Sequence, residues 1–268
     1  MRGPSRSRRR STSPAGREPV AVTGSSPGGG HTLPPVSPFA GDDGSADPHL
    51  AAVLAEHAAG RADLPDVVAA LAGVRLQVPV VAHLERADVP SGGGLPVDKE
   101  ASTGVVAVRT GDGRIAMPVF SSTATAAAWR ADARPVPSLA PRAALAALAE
   151  GWQVLLLDPA GPVPVVVPRP AVVALAQGVT WEPAVRWGQV AAPVADAIAG
   201  ALEAVPEVRA VDVRPGTRAE IAVELTLRPG LDRRALDDVL TRVNAALAGD
   251  ATTADRVDGL ELRLRADS

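Results

Sequence analysis

The chain has 268 residues, a length that fits one large or two modest domains. Hydrophobic residues make up 46% of it but aromatic residues only 2%, so valine, leucine and alanine must fill the core. Few rings remain to stack on nucleic-acid bases or on sugars. Cysteine is absent, which excludes disulfides, thiol nucleophiles and thiolate metal sites.

Charge is unevenly distributed along the chain. The net charge is −3, and residues 1–40 carry six arginines against Glu18, a balance of +5 that leaves −8 for the remainder. Because the N-terminal stretch is rich in serine, proline and glycine, we expect residues 1–46 to be a disordered tail. Its arginines give it at most a weak affinity for nucleic acid. The sequence shows neither a signal peptide nor a membrane-spanning run, so we expect a cytoplasmic protein without membrane contact.

Two helices and a strand are predicted after the tail. Asp47 precedes a proline, and Asp63 precedes a second apolar stripe, an arrangement typical of helix N-caps. The strand that follows, residues 74–84, contains Pro79. Because proline cannot donate a hydrogen bond to a neighbouring strand, we expect Pro79 to mark an edge strand or a bulge.

The stretch 115–170 is the most densely patterned part of the chain. Apolar runs of strand length, MPVF, VLLL and VPVVV, alternate with alanine- and leucine-rich segments at helical spacing. Asp158 lies in its turn DPAGP, with no histidine in the stretch to act as a base. An aspartate before proline commonly hydrogen-bonds its own turn, so we expect Asp158 to be structural, with ligand binding as the second interpretation.

The histidines do not indicate a metal site. His49 and His57 are eight residues apart, about 12 Å along a helix, which is too far to share a metal ion. His31 falls in the tail and His83 at the end of a strand. We expect no metal and no cofactor.

A specific order of motifs runs through this region. It comprises MPVFSS, Trp129 seven residues after Ser122, RPVP, a helix ending in Glu-Gly, LLLDPAGP and PRPAVVALAQG. This order resembles the N-terminal domain of SseB-family proteins over roughly residues 49–183. The resemblance implies an α+β domain and, at the level of the family, an association with enhanced serine sensitivity in bacteria. It implies no catalytic residue.

A second unit is predicted at 189–268, separated by a linker at 184–188 from an SseB-like domain at 47–183. Helix and strand periods follow the order α-β-β-α-β, which predicts an antiparallel sheet with helices on one face. The chain is therefore assigned to the α+β class. On the open face of this sheet we place Arg209, Glu220, Glu224, Glu261, Arg263 and Arg265. Of these, Glu220 and Glu224 are candidate binding residues.

Two classes of function fit these patterns. The favoured one is a non-enzymatic, cytoplasmic binding or regulatory protein that holds a protein partner or a small metabolite, with homo-oligomerisation as an option. The second is an enzyme with a site at the Asp158 loop. The name SseB is shared with a secretion-translocon protein, which adds a type III secretion-related role as a further alternative.

Overall fold

The computed structural model describes residues 39–83 and 102–265, with the side chains of 81–83 and 102–105 left out. Most of the predicted tail, residues 1–38, therefore lies outside the described residues.

The folded chain begins with two short helices, α1 (Pro48–Ala58) and α2 (Leu64–Leu71). Both are capped as predicted. The side chain of Asp47 accepts hydrogen bonds from the N–H groups of the first turn of α1, and Asp63 forms a reciprocal capping box with Asp66. These caps satisfy N–H groups that have no partner within the helix.

Residues 41–46 are held in place ahead of α1. The guanidinium of Arg75 lies 2.7 Å from the carboxylate of Asp42 in a largely buried ion pair. The carbonyl of Gly44 accepts the N–H of Thr123 at 2.8 Å, and a Cβ on Gly44 would lie 2.6 Å from that threonine's side chain. The segment belongs to the compact unit Gly41–Ser268. The expectation of a disordered tail reaching residue 46 is therefore wrong for its last residues, because long-range contacts fix them.

Two sheets form the centre of the first part of the chain. Their strands are β1 (Arg75–His83), β2 (Ser102–Val105), β3 (Val108–Arg109), β4 (Ile115–Val119), β5 (Arg134–Leu139), β6 (Val154–Leu157) and β7 (Val165–Val167). The strand orders are β2-β1-β5 and β3-β4-β6-β7. The β4–β6 pair is parallel and the other pairs are antiparallel. Gln77 and Phe120 exchange backbone hydrogen bonds of 2.8 and 2.9 Å, which joins β1 to the end of β4.

Pro79 lies in β1, the central strand of its sheet, so the prediction of an edge strand or a bulge is wrong. Successive residues of a strand point their backbone hydrogen-bonding groups to alternate sides. The nitrogen of Pro79, two residues after Gln77, therefore points to the same side of β1 as the N–H of Gln77. On that side β2 ends at Val105, opposite Val80, so β2 has no residue opposite the proline. A central strand tolerates proline where the neighbouring ladder is interrupted.

Helices α3 (Thr123–Trp129), α4 (Ala140–Ala149) and α5 (Arg169–Gln177) complete this part. The first core combines residues of α1, α2, α4 and α5 with those of β1, β4, β6 and β7. Ala143, Ala144 and Ala147 of α4 are buried, and their small side chains allow α4 to pack closely on α5. This arrangement confirms the α+β class for the region.

The second core lies in residues 184–262. Its elements are β8 (Val185–Arg186), β9 (Gln189–Val190), α6 (Ala192–Leu202), β10 (Val208–Pro215), β11 (Ile221–Leu227), α7 (Arg233–Gly249), α8 (Ala251–Arg256) and β12 (Leu260–Arg265). Ala184 is fully buried in this core, so the interval predicted as a linker contributes to its packing.

The sheet of the second core has the order β10-β11-β12. β10 and β11 are antiparallel, but β11 and β12 are parallel. The prediction of an antiparallel sheet is therefore wrong for β12, because α7 and α8 return the chain to the end of the sheet at which β11 begins.

Candidate functional site

Asp158 lies at the carboxyl end of β6, beside the carboxyl end of the parallel strand β4. The residue is 4% exposed. Oδ1 accepts the backbone N–H of Ser121 at 2.9 Å, and Oδ2 accepts the hydroxyl of the same serine at 2.6 Å. Both carboxylate oxygens are thus engaged by one residue across the sheet.

The turn after Asp158 is organised by backbone atoms. Asp158 has φ +47, in the left-handed region that aspartate and asparagine tolerate better than most residues. Its carbonyl accepts the N–H of Gly161 at 2.8 Å. The side-chain bonds go to Ser121 and not to the turn, so the expectation that Asp158 bonds its own turn is wrong.

A cavity of about 220 Å³ adjoins Asp158. It is lined by Ala46, Ala51, Leu54, Ala55, Ser121, Thr125, Asp158, Pro162 and Val163. No histidine is among these residues, and the hydroxyl of Ser121 already donates to the carboxylate. Within the part of the chain that the structure describes, no group of three or more histidine, cysteine or acidic side chains could hold a metal ion.

Glu220 is not on an open sheet face. It precedes β11, is half-buried, and accepts the backbone N–H of Asp258 at 2.8 Å. Burial raises the pKa of Glu220, and the nearby charge of Asp258 also raises it. Its placement on the open face is therefore wrong, because its carboxylate turns toward the loop before β12.

Glu224 does lie on the face predicted for it, but its charge is paired there. Its side chain is 10% exposed, and Oε2 lies 2.9 Å from Nε of Arg265. Glu261 beside it lies 2.9 Å from Arg263. The hydrogen bond from the N–H of Thr217 is the main reason that the pKa of Glu261 is lowered to about 2. These two ion pairs lie within the sheet, and Arg218 just before β11 adds a third at 3.0 Å from Glu261.

The turn between β8 and β9 carries an exposed tryptophan. Arg186 and Gln189 are paired, so Trp187 and Gly188 form a two-residue hairpin turn with φ of +50 and +71. Positive φ at both positions is the mark of a type I′ turn, where Asn-Gly is preferred. A tryptophan in this conformation is strained, and Trp187 is nevertheless 58% exposed.

Contacts with the start of α2 hold this turn in place. The backbone N–H of Trp187 donates to Oδ2 of Asp63 at 3.0 Å. The guanidinium of Arg186 lies 2.8 Å from the carboxylate of Asp66. The two aspartates are those of the capping box of α2, so one pair of residues fixes both the helix start and the hairpin tip.

A groove of about 320 Å³ runs beside this hairpin between α2 and the end of α5. Most of its lining is apolar, and Val179 on its wall is 56% exposed. The lining comprises Pro65, Asp66, Val68, Ala69, Ala72, Leu175, Gly178, Val179, Thr180, Trp181 and Arg186. We call these residues together with Trp187 the Trp187 groove. Sequence reasoning missed this site; the dipeptide Trp-Gly between short apolar runs was the only signal for its turn.

The comparisons with known proteins bear on the first core. The family model described as the SseB protein N-terminal domain matches residues 50–174. These residues form an SseB N-terminal domain. The match confirms the resemblance inferred from the motif order for this part of the chain. The Trp187 groove takes one wall from the matched domain and the other from residues beyond it.

No curated protein and no solved structure matches the chain. Among the described residues, no helix is both long and apolar enough to cross a bilayer.

Proposed function

We propose that this chain is a cytoplasmic, non-enzymatic binding or regulatory protein of the SseB family that holds a protein partner at the Trp187 groove. The observation that supports it is Trp187 itself: an exposed aromatic side chain in a strained backbone conformation, pinned by Asp63. Strain of this kind persists where surrounding contacts enforce it, and it concentrates at binding sites.

The composition strengthens this interpretation. The chain has four tryptophans in 268 residues, so an exposed one leaves a rare, large apolar side chain out of the core. Tryptophan is enriched among the residues that dominate binding energy in protein interfaces, particularly beside apolar pockets. The groove offers such a pocket, with the charged pair Arg186 and Asp66 at its border. A protein segment that inserts an apolar side chain into the groove and covers Trp187 fits this surface.

The family association with serine sensitivity is compatible with a regulatory role. We propose that the protein acts in that response through contact with a partner protein, since both donors of Ser121 are bonded to Asp158 and no histidine lines the cavity beside them.

Quantitative affinity capture from the native host tests the proposal. Trp187→Asn removes the ring while supplying the residue that the turn prefers. Leu145→Gln is a matched control, because Leu145 is 59% exposed on α4, away from the groove lining. We expect a partner that is retained by the wild type and the control and lost with Trp187→Asn. Equal retention by all three proteins would contradict the proposal.

One observation favours the alternative of an enzyme at the Asp158 loop. Asp158 and Ser121 border a cavity at the carboxyl ends of two parallel strands, a common position for ligand sites in α/β sheets. This alternative predicts that Asp158→Asn abolishes the cellular phenotype in a stably folded protein and that Trp187→Asn leaves the phenotype intact.

A further inference from the structure

Among the described residues, the outer edge of β12 pairs with no other strand. The N–H of Ile221 donates to the carbonyl of Gly259, so the backbone hydrogen-bonding groups of Gly259 point toward β11. Because this direction alternates along a strand, Glu261 and Arg263 also face β11. The backbones of Leu260, Leu262 and Leu264 therefore face away from the sheet.

Two other edge strands of the fold, β5 and β10, are protected from strand addition. In β5, Pro135 and Pro137 lie opposite Pro79 and Gln77 of β1, whose backbone groups point away from β5. The nitrogens of the two β5 prolines therefore point away from β1, toward the open edge of the sheet. In β10, Pro215 has its nitrogen at the open edge, and the register shifts near Val208. Proline and irregular pairing are the usual means of blocking an edge. β12, with the sequence LELRLR, has neither.

Apolar surface accompanies the open edge. Leu264 is 46% exposed on the face of the sheet that carries Leu260 and Leu262. A depression of about 260 Å³ adjoins Leu260 and Leu262 and is bordered by Leu247 of α7. A strand added beside β12 would cover Leu264 and place its own side chains near this depression.

The sequence of β12 is complementary to itself in the antiparallel direction. In a pairing centred on Leu262, the same residue of the second copy lies opposite it, and Leu260 lies opposite Leu264. On the other face Glu261 lies opposite Arg263, in both halves of the pair. Opposite charges across an antiparallel pair are stabilising, and like charges directly opposite are avoided in this register.

We propose that β12 is a dimerisation edge, at which a second copy of this chain adds antiparallel to β12 about a two-fold axis at Leu262. The N–H and C=O groups of Leu260, Leu262 and Leu264 then form the central ladder of a sheet with three strands from each copy. Such a two-fold interface uses the same patch on both copies and closes on itself. This inference is independent of the Trp187 groove, which does not include β12.

Sedimentation velocity over a wide range of protein concentration tests the proposal on the full-length chain. Wild-type protein is expected to form dimers as the concentration rises. Leu264→Pro removes an outward N–H without removing a bond to β11, and it is expected to shift the protein to the monomer. Leu264→Thr keeps the N–H and the strand propensity, so it is expected to weaken the dimer less than the proline does.

Hydrogen exchange gives a second measurement that does not depend on a variant. The amides of Leu260, Leu262 and Leu264 are expected to exchange quickly in dilute wild-type protein and more slowly as concentration rises. Amides of Glu261 and Arg263, which face β11, serve as the internal reference. A wild-type protein that stays monomeric, a dimer unaffected by Leu264→Pro, or exchange in β12 that does not change with concentration would each overturn the proposal.

Discussion

Nη1 of Arg114 lies 2.6 Å from Oδ2 of Asp258, a residue 144 positions later in the chain. The other oxygen, Oδ1, accepts the backbone N–H of Arg169 at 3.1 Å. Arg169 opens α5, whose N-cap residue Pro168 makes no side-chain hydrogen bond. A residue next to the second core thus caps a helix of the SseB domain and pairs with a charge beside β4.

We expect Asp258→Ala to lower the free energy of unfolding by about 1–3 kcal/mol, because it leaves a half-buried guanidinium and a helix N–H without their acceptor. Asp258→Asn should have a smaller effect, since the amide oxygen still serves one donor. Denaturant titration measures both. Exposed Asp255 supplies the control: Asp255→Ala should change stability by less than about 0.5 kcal/mol. Equal losses at the two positions would contradict a bridging role for Asp258.

The second core is predicted to fold as an isolated fragment, provided that the β8–β9 hairpin is included. A fragment of residues 183–268 retains Ala184 and Val185, whereas one of residues 189–268 loses a fully buried residue and leaves β9 without its partner. The longer fragment should unfold cooperatively and at a higher temperature. An uncooperative transition for both fragments would show that the second core is not an independent domain.

Asp158 is predicted to hold the ends of β4 and β6 together without acting as an acid or base. Asp158→Ala should cost about 3 kcal/mol, because it leaves both donors of Ser121 unpaired and places alanine at positive φ. Asp158→Asn should cost no more than about 1 kcal/mol, since asparagine tolerates this conformation and keeps one acceptor. Thermal unfolding checks the order of the two variants. The cellular phenotype should survive Asp158→Asn; its loss in a folded protein would favour the enzyme.

Two N-terminal truncations are predicted to differ in their effect on thermal stability. Removal of residues 1–38 should leave the melting temperature unchanged within error, as the tail composition indicates. Removal of residues 1–46 also deletes the Asp42–Arg75 pair and the contact of Gly44 with Thr123, and it should cost about 1–2 kcal/mol. Thermal unfolding of the two proteins distinguishes these outcomes. Identical melting temperatures would mean that residues 41–46 contribute nothing to stability.

The parts of the fold that sequence predicts well are those fixed by neighbouring residues. The caps at Asp47 and Asp63 and the motif order of the SseB domain both depend on local chemistry. The direction of β12 could not be predicted in this way, because apolar and polar residues alternate equally in a parallel and in an antiparallel edge strand. The packing of residues 41–46 depends on Arg75, about 30 positions away, whose role no local pattern reveals.

In the candidate sites, too, features fixed by neighbouring residues were predictable and features that depend on distant residues were not. A structural role for Asp158 was predicted from hydrogen bonds within its own turn, but its side-chain partner Ser121 is 37 positions away, just after β4. The Trp187 groove was missed, because strands of two residues show no periodicity. Its turn also departs from the usual preference, with tryptophan where asparagine is favoured.

The central claim is that Trp187 is kept for binding at the expense of stability, and one paired measurement on Trp187→Asn tests it. The free energy of unfolding should stay the same or rise by up to about 1 kcal/mol, because asparagine relieves the strain at positive φ. The partner captured by the wild type should be lost from the same variant preparation. A variant that is less stable than the wild type and still retains the partner would show that Trp187 serves packing, and it would contradict the account.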